Sequence, residues 1–170
     1  MNPELVDHGS FCKYKTESTF GDYVVLDYNV FSSVIMDIGD WVHIAPQVAI
    51  IGGRTSKLVM GHFSGISAGG KVICGGDDFA SGSLMNPQVP SKYRISNITT
   101  VTFEPFSCIG VNSVVMPGIT LGEGAVVGSN STLTKDAEPW TIYVGSPARP
   151  IKKRPNELAY KYARELGYDF

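Results

Sequence analysis

The chain has 170 residues, enough for one domain with a continuous core. Hydrophobic residues make up 43% and charged residues 18%, and the formal net charge is −2; this argues against a nucleic-acid-binding or anionic-membrane surface, and no stretch has the apolar length of a membrane span. Cys12, Cys74 and Cys108 are odd in number and lack metal-ligand spacing, which points to reduced thiols and a cytoplasmic location, and Met1-Asn2-Pro3-Glu4-Leu5 carries no signal-peptide pattern.

Residues 1–21 read as polar and irregular, with a weak strand signal. A bulky apolar residue then recurs every six positions, at Leu26, Ile38, Ile44 and Ile50, with Ser32 filling one slot. Gly52-Gly53-Arg54-Thr55-Ser56-Lys57 breaks the phase as a turn, and Met60, Ile66 and Val72 resume it. From Gly75 to about Asn97 the pattern stops. This stretch holds Gly75-Gly76-Asp77-Asp78, two prolines and few aliphatics, and reads as a long extruded loop of the kind that carries function. The repeat returns through Phe103, Ile109, Val115, Leu121, Val127 and Leu133. After Pro155, Leu158, Ala159, Tyr162, Ala163 and Leu166 recur at three and four before Gly167, predicting a short helix over 155–167.

A period of six fits neither an amphipathic helix nor a simple alternating strand; it marks a stacked repeat. At roughly 3.3 Å per residue a hexad spans a short strand and its corner, with small residues and glycines expected where the backbone bends. The leading aliphatics point inward and stack, each contributing about 1.5–3 kcal/mol of burial. Stacks expose edges at both ends, so the N-terminal segment and the C-terminal helix are the expected caps.

Three features together closely resemble the hexapeptide-repeat acyltransferases. They are the hexads such as Ile109-Gly110-Val111-Asn112-Ser113-Val114, the Leu133-Thr134-Lys135-Asp136 stretch with Pro139, and the closing Tyr143-Val144-Gly145-Ser146-Pro147-Ala148-Arg149 segment. The resemblance implies an all-β fold, a left-handed parallel β-helix over 22–154, with the loop 75–97 extruded and a short C-terminal α-helix, as a single domain 1–170. It further implies a homotrimer that takes acetyl-CoA as cosubstrate in clefts between subunits. Similarity to the galactoside, maltose and surface-polysaccharide branches implies a sugar or nucleotide-sugar acceptor, as in lipopolysaccharide or O-antigen biosynthesis.

A hydroxyl acceptor needs a general base, whereas a neutral amine does not. The O-acetylating relatives take that proton with a histidine in or near the long loop. The stretch from Gly75 to Thr102 has none, which favours N-acetylation of an amino sugar over O-acetylation. Catalytic candidates are His43 and His62 in the repeat, and Asp77 and Asp78 where the loop departs; His8 lies in the irregular start. Asn86, Tyr93 and Arg94 are candidates for substrate contacts, Arg94 as a partner for a diphosphate. For the cofactor, Ser113, Gly128 and Ser129 sit on turns of the last coils, and Lys135, Arg149, Lys152 and Lys153 form a basic cluster suited to phosphates. A γ-carbonic-anhydrase-like zinc protein shares the fold but needs three histidines, and the repeat supplies two, so no metal is expected. A non-catalytic scaffold would leave the polar loop and the basic cluster without a role.

Overall fold

In this computed structural model, residues 6–170 are described, apart from the side chains of Val6 and His8. Three parallel sheets run the length of the molecule. The first face stacks Val6–His8, Val24–Leu26, His43–Ile44, Gly65–Ile66, Cys108–Ile109, Val126–Val127 and Thr141–Gly145. The second stacks Phe31–Ser32, Ala49–Ile51, Lys71–Ile73, Val114–Val115 and Thr132–Leu133, and the third Thr19–Phe20, Ile35–Ile38, Lys57–Met60, Thr100–Phe103 and Thr120–Leu121. The chain passes from third to first to second face and back. Leu26 pairs with Ile44, and Ile109 with Val127, eighteen positions on, so one coil is three hexads. The expected left-handed parallel β-helix is the fold.

The sixfold aliphatics form the core. Leu26, Ile44, Ile66, Ile109 and Val127 stack up the first face, Ile50, Val72, Val115 and Leu133 up the second, and Ile38, Met60, Phe103 and Leu121 up the third, all buried. Ser32, the polar exception, is buried too, and its hydroxyl is satisfied by both the amide and the carbonyl of Val34. Stacking starts before residue 22, with Val6–His8 alongside Val24–Leu26 and Thr19–Phe20 alongside Asp37 and Ile38. At the other end Thr141–Gly145 turns back against Ala148–Lys153, an antiparallel pair that closes the first face. The helix α1 spans Glu157–Glu165, shorter at both ends than the periodicity predicts.

The corners differ from expectation. Glycines and small residues were the expected bends, but along the edge between third and first faces the left-handed positions hold Tyr23, Trp41, Phe63, Phe106 and Trp140, each at φ between +51° and +62°. Such a conformation costs about 1–2 kcal/mol for a side-chain-bearing residue. Ring stacking along the edge offsets it: Tyr23 on Trp41 at 3.9 Å between centroids, Trp41 on Phe63 at 6.4 Å, Phe63 on Phe106 at 5.2 Å. Gly124 takes the one slot in this column where a Cβ would fall inside the Trp140 ring. The edge between first and second faces uses Phe11, Asn29, Gln47, Gly69, Asn112 and Asn130, mostly asparagine and glycine, which tolerate this region best.

Both interruptions of the repeat leave at the remaining edge, between second and third faces. Ile44 pairs with Ile66, twenty-two positions on, so the Gly52 turn adds four residues to a coil of eighteen; Ile66 pairs with Ile109, forty-three on, so the long loop adds twenty-five. The loop is built rather than structureless. Gly75–Asp77 pairs antiparallel with Ser96–Ile98, and Ser91–Tyr93 forms a 3-10 turn at the far end. This hairpin therefore stands between the Gly52-Gly53-Arg54 turn of the coil before it and the Met116-Pro117 corner of the coil after it.

Candidate active site

On the first face the outward row runs His43, Gly65, Cys108, Val126. His43 Nε2 lies 2.7 Å from Asp27 Oδ2 of the preceding coil, in a half-exposed pair. The carboxylate accepts, so Nε2 carries a proton, and in the neutral ring Nδ1 is the nitrogen with the lone pair. Beside the pair a cleft of about 190 Å³ is lined by His43, Ala45, Gly65, Ser67, Ala68 and Cys108. Its walls are small residues, and the Ser67 hydroxyl has no partner among the described residues. Burial pushes the Cys108 thiol up, against the lowering effect of the nearby Arg154, so it sits there as a neutral thiol. A base held by a carboxylate next to a hydroxyl and a narrow trough can accept a proton and receive a slender chain.

His62 is elsewhere. Its Nδ1 accepts the Asp40 amide at 2.9 Å, so the ring proton lies on Nε2, and the ring packs against Tyr168 and Phe170. Tyr168 donates to Asp40 Oδ2 at 2.7 Å and the Asp22 amide donates to Asp40 Oδ1 at 2.8 Å. Burial would raise the Asp40 carboxyl, but the Tyr168 hydroxyl and the Asp22 amide outweigh it, with His62 adding, and hold it below the ordinary carboxylate range. These residues anchor the chain end. Arg154 assists by donating to the carbonyls of Phe106 and Gly124, and Ala163 of α1 is buried beside Phe106 and Trp140 in a second small core outside the prism.

The hairpin is organised around Asp77. Its Oδ2 accepts the Asn86 amide at 2.6 Å, and its Oδ1 accepts Arg94 Nη1 and Ser96 Oγ, each at 2.9 Å. The Asn86 amide, against some desolvation and helped by Ser96 and Arg94, holds this carboxyl below its usual range. Asp78 turns the chain by accepting the Ala80 amide. A crevice of about 410 Å³ above the hairpin is walled by Ile73, Phe79, Met116 and Pro117 with Asp77 and Asp78 at its edge; one of about 460 Å³ below holds Arg54 and Arg94. Asn86 takes φ +83° and its side chain accepts the Gln88 amide, so it serves the turn. Tyr93 is exposed, with the Lys92 ammonium over its ring.

Among the proposed cofactor contacts, Lys135 and Arg149 come together around a cavity of about 310 Å³ at the end of the prism, with Tyr143 in its wall. Lys153 is tied to Glu138 and Thr141, and Lys152 is exposed on the closing strand. Ser129 is exposed at a corner, and Gly128 lies against Val144. Ser113 is fully buried, donating to the Gly128 carbonyl and accepting the Ser131 amide, so its hydroxyl closes the coil. The four catalytic candidates are not gathered within one chain: His43 faces the small-residue cleft, His62 the chain end, Asp77 and Asp78 the hairpin. Asp27 and Ser67 escaped the sequence reading, although a period of eighteen places Asp27 beside position 45, one coil from His43.

The coiled prism of three hexads per turn, with its extruded hairpin, is the fold of the hexapeptide-repeat class. No family model matches the chain. It is 32% identical over 159 residues to the dTDP-4-amino-4,6-dideoxy-D-glucose acyltransferase of Escherichia coli, spanning 92% of this chain and 82% of that one. It is also 32% identical, over 66% of the chain and 68% of the relative, to a probable macrolide acetyltransferase of Lysinibacillus sphaericus. Its structure resembles AntD, an N-acyltransferase from Bacillus cereus solved with dTDP and 3-hydroxybutyryl-CoA, with a TM-score of 0.79, 27% identity, and 96% and 92% of the two chains covered. The chain belongs to the hexapeptide-repeat acyltransferases and is an enzyme of acyl transfer. Among the described residues there is no cluster of metal-ligating side chains and no helix long and apolar enough to cross a membrane.

Proposed function

We propose that the enzyme transfers an acyl group, acetyl in the simplest case, from its CoA thioester to the amine of a nucleotide-linked amino sugar. One observation carries this. The likeness to AntD, also solved with dTDP-4-amino-4,6-dideoxyglucose and Coenzyme A, runs through 96% of the chain, and the similarity to the Escherichia coli aminosugar acyltransferase runs through 92%. Variants of AntD have been solved at one serine and at an aspartate ten positions further on. Ser67 and Asp77 are the only serine and aspartate at that spacing in this sequence.

In this reading the neutral amine attacks the thioester carbon, the C–N bond forms, and the C–S bond breaks to release CoA as thiolate. His43 Nδ1 takes the proton lost by the nitrogen, and the Asp27 carboxylate stabilises the imidazolium until that proton passes to the sulfur. The Ser67 hydroxyl donates to the oxyanion. Lys135 and Arg149 hold CoA phosphates at the prism end, with Lys152 adding charge and Gly128 and Ser129 lying along the path. Asp78 offers the acceptor amine a carboxylate. The subunits assemble as a homotrimer, supported by exposed Phe31, Ile51, Val111 and Met116 at the second face and its edges, and act in the cytoplasm, where three free thiols are stable.

The test is CoA-thiol release with acetyl-CoA and dTDP-4-amino-4,6-dideoxyglucose, with mass spectrometry of the product. An N-acyl nucleotide sugar is expected. A folded protein that releases no CoA with any nucleotide amino sugar would defeat the reading. The histidine–carboxylate pair favours one second reading, O-acylation of a hydroxyl acceptor, which the same assay separates by product mass and hydroxylamine lability.

A further inference from the structure

The crevice beneath the hairpin does not take part in the fold's closure, and its chemistry is unlike that of the rest of an acidic chain. Two interruptions of the repeat leave the same edge on successive coils and face each other across about 460 Å³. Arg94 comes from the hairpin, and Arg54, exposed, from the turn before it. Lys15 donates to the Arg54 carbonyl at 2.6 Å and ties this turn to the N-terminal segment. Asp77, the one carboxylate among the lining residues, accepts three hydrogen bonds from the hairpin. It takes only Nη1 of Arg94; the Nε–H is buried without a partner. That donor is enclosed by the protein, and it is the rest of the Arg94 guanidinium that lines the crevice. The Gly52 and Gly53 amides are already spent on Ser33 and Ser56, which leaves the arginine side chains as the charged donors on the wall.

We infer that this crevice binds the diphosphate of the nucleotide acceptor, with the Arg54 and Arg94 guanidinium groups on its wall donating to the phosphates and supplying charge. The inference rests on the nucleotide-sugar reading above and assigns the subsite. CoA carries a diphosphate of the same chemistry, but the proposed function places it on Lys135 and Arg149, which line a separate cavity with Asp136 at the far end of the prism. The two crevices sharing the Asp77 wall would then divide the acceptor, diphosphate below and amino sugar above, against Phe79, Met116 and Asp78.

Calorimetry with thymidine 5′-diphosphate and, separately, CoA tests the assignment in Arg54→Ala, Arg54→Glu and Arg94→Gln. Arg54 is exposed, so its variants keep the fold, and melting curves verify that. Arg54→Ala is expected to weaken the nucleotide about tenfold, Arg54→Glu more, and to raise KM for the nucleotide sugar while leaving CoA affinity unchanged. Nucleotide affinity unchanged in both Arg54 variants, or CoA affinity falling in place of it, overturns the inference. If the wild type acylates the nucleotide sugar and the Arg54 variants do so with unaltered KM, the subsite is wrong and the activity stands. If the wild type neither binds the nucleotide nor acylates its sugar, both fail.

Discussion

Phe63 and Phe106 stack with ring planes 4° apart and centroids 5.2 Å apart, although both backbones are held at φ near +60°. Each ring is presented to its neighbour only because the corner is left-handed, so the strain and the stack are one arrangement. Phe106 is buried and also touches Trp140, Tyr160 and Phe170, which joins the prism edge to the C-terminal cap.

This sets an unusual order of stability. Phe106→Ala removes the ring yet keeps a Cβ in the left-handed conformation, whereas Phe106→Gly removes both. The alanine variant should lose about 3–5 kcal/mol, as for a buried aromatic. The glycine variant should lose about 1 kcal/mol less, although glycine is ordinarily the more damaging replacement. Urea unfolding of the two variants decides this; glycine below alanine would mean that the φ strain does not govern the corner.

His43 and Asp27 are half-exposed, so their replacement separates chemistry from folding. His43→Asn should lower kcat by about 10²- to 10⁴-fold with an unchanged melting curve. Asp27→Asn, which leaves the imidazole but removes the carboxylate that orients it, should lower kcat by about ten- to a hundredfold. Full activity in His43→Asn would leave deprotonation of the amine to solvent and remove the histidine from the mechanism.

The Tyr168–Asp40 contact should carry a pH window. The Asp40 carboxyl lies below its ordinary 3.8 in the folded protein, so its contribution is present above that value and is lost as the pH falls through the lowered one. The Tyr168 phenol is raised above 10.0 by burial and by its bond to Asp40, so its contribution is complete below 10.0 and fades as the pH rises through the raised value. Tyr168→Phe should therefore cost about 1.5–3 kcal/mol near neutrality, and less at both extremes. Denaturant melts in acid, neutral and alkaline buffer check it. A deficit that is constant across pH would show that the ring and not the hydroxyl holds the chain end.

How far the sequence could be read depends on what each residue answers to. The inward aliphatics answer to burial alone, so Leu26, Ile44, Ile109 and Leu121 declare themselves by spacing, and every one is buried. The corner aromatics were illegible because propensity forbids what stacking between coils allows: nothing local to Trp41 or Phe63 places them in a left-handed conformation. The loop was legible as an interruption but not as a hairpin, since Gly75-Gly76-Asp77 carries no alternating apolar pattern and its order comes from Asp77 gathering donors nine to nineteen positions away. His43 was readable as a candidate, but its partner was not, because Asp27 reaches it across a coil boundary. Ser113 was misplaced for a related reason: a small residue at a turn can face either way, and here the coil closes over it.

Cys108 offers a direct probe of the donor path. It lines the small-residue cleft with His43 and Ser67 and is partly exposed, whereas Cys74 is fully buried, its thiol pushed up to about 12 by desolvation. Thiolate, not thiol, reacts with alkylating reagents, so Cys74 should remain unlabelled in the native protein and serve as an internal control. Cys108, accessible but raised, should label slowly at neutral pH and faster as the pH rises. If the thioester end of the donor enters this cleft, saturating acetyl-CoA should slow Cys108 alkylation several-fold while leaving Cys12 unaffected. Peptide mass mapping after iodoacetamide treatment reads all three sites at once. Equal Cys108 labelling with and without acetyl-CoA, at concentrations where calorimetry shows the donor bound, would place the thioester away from His43 and Ser67 and require another base.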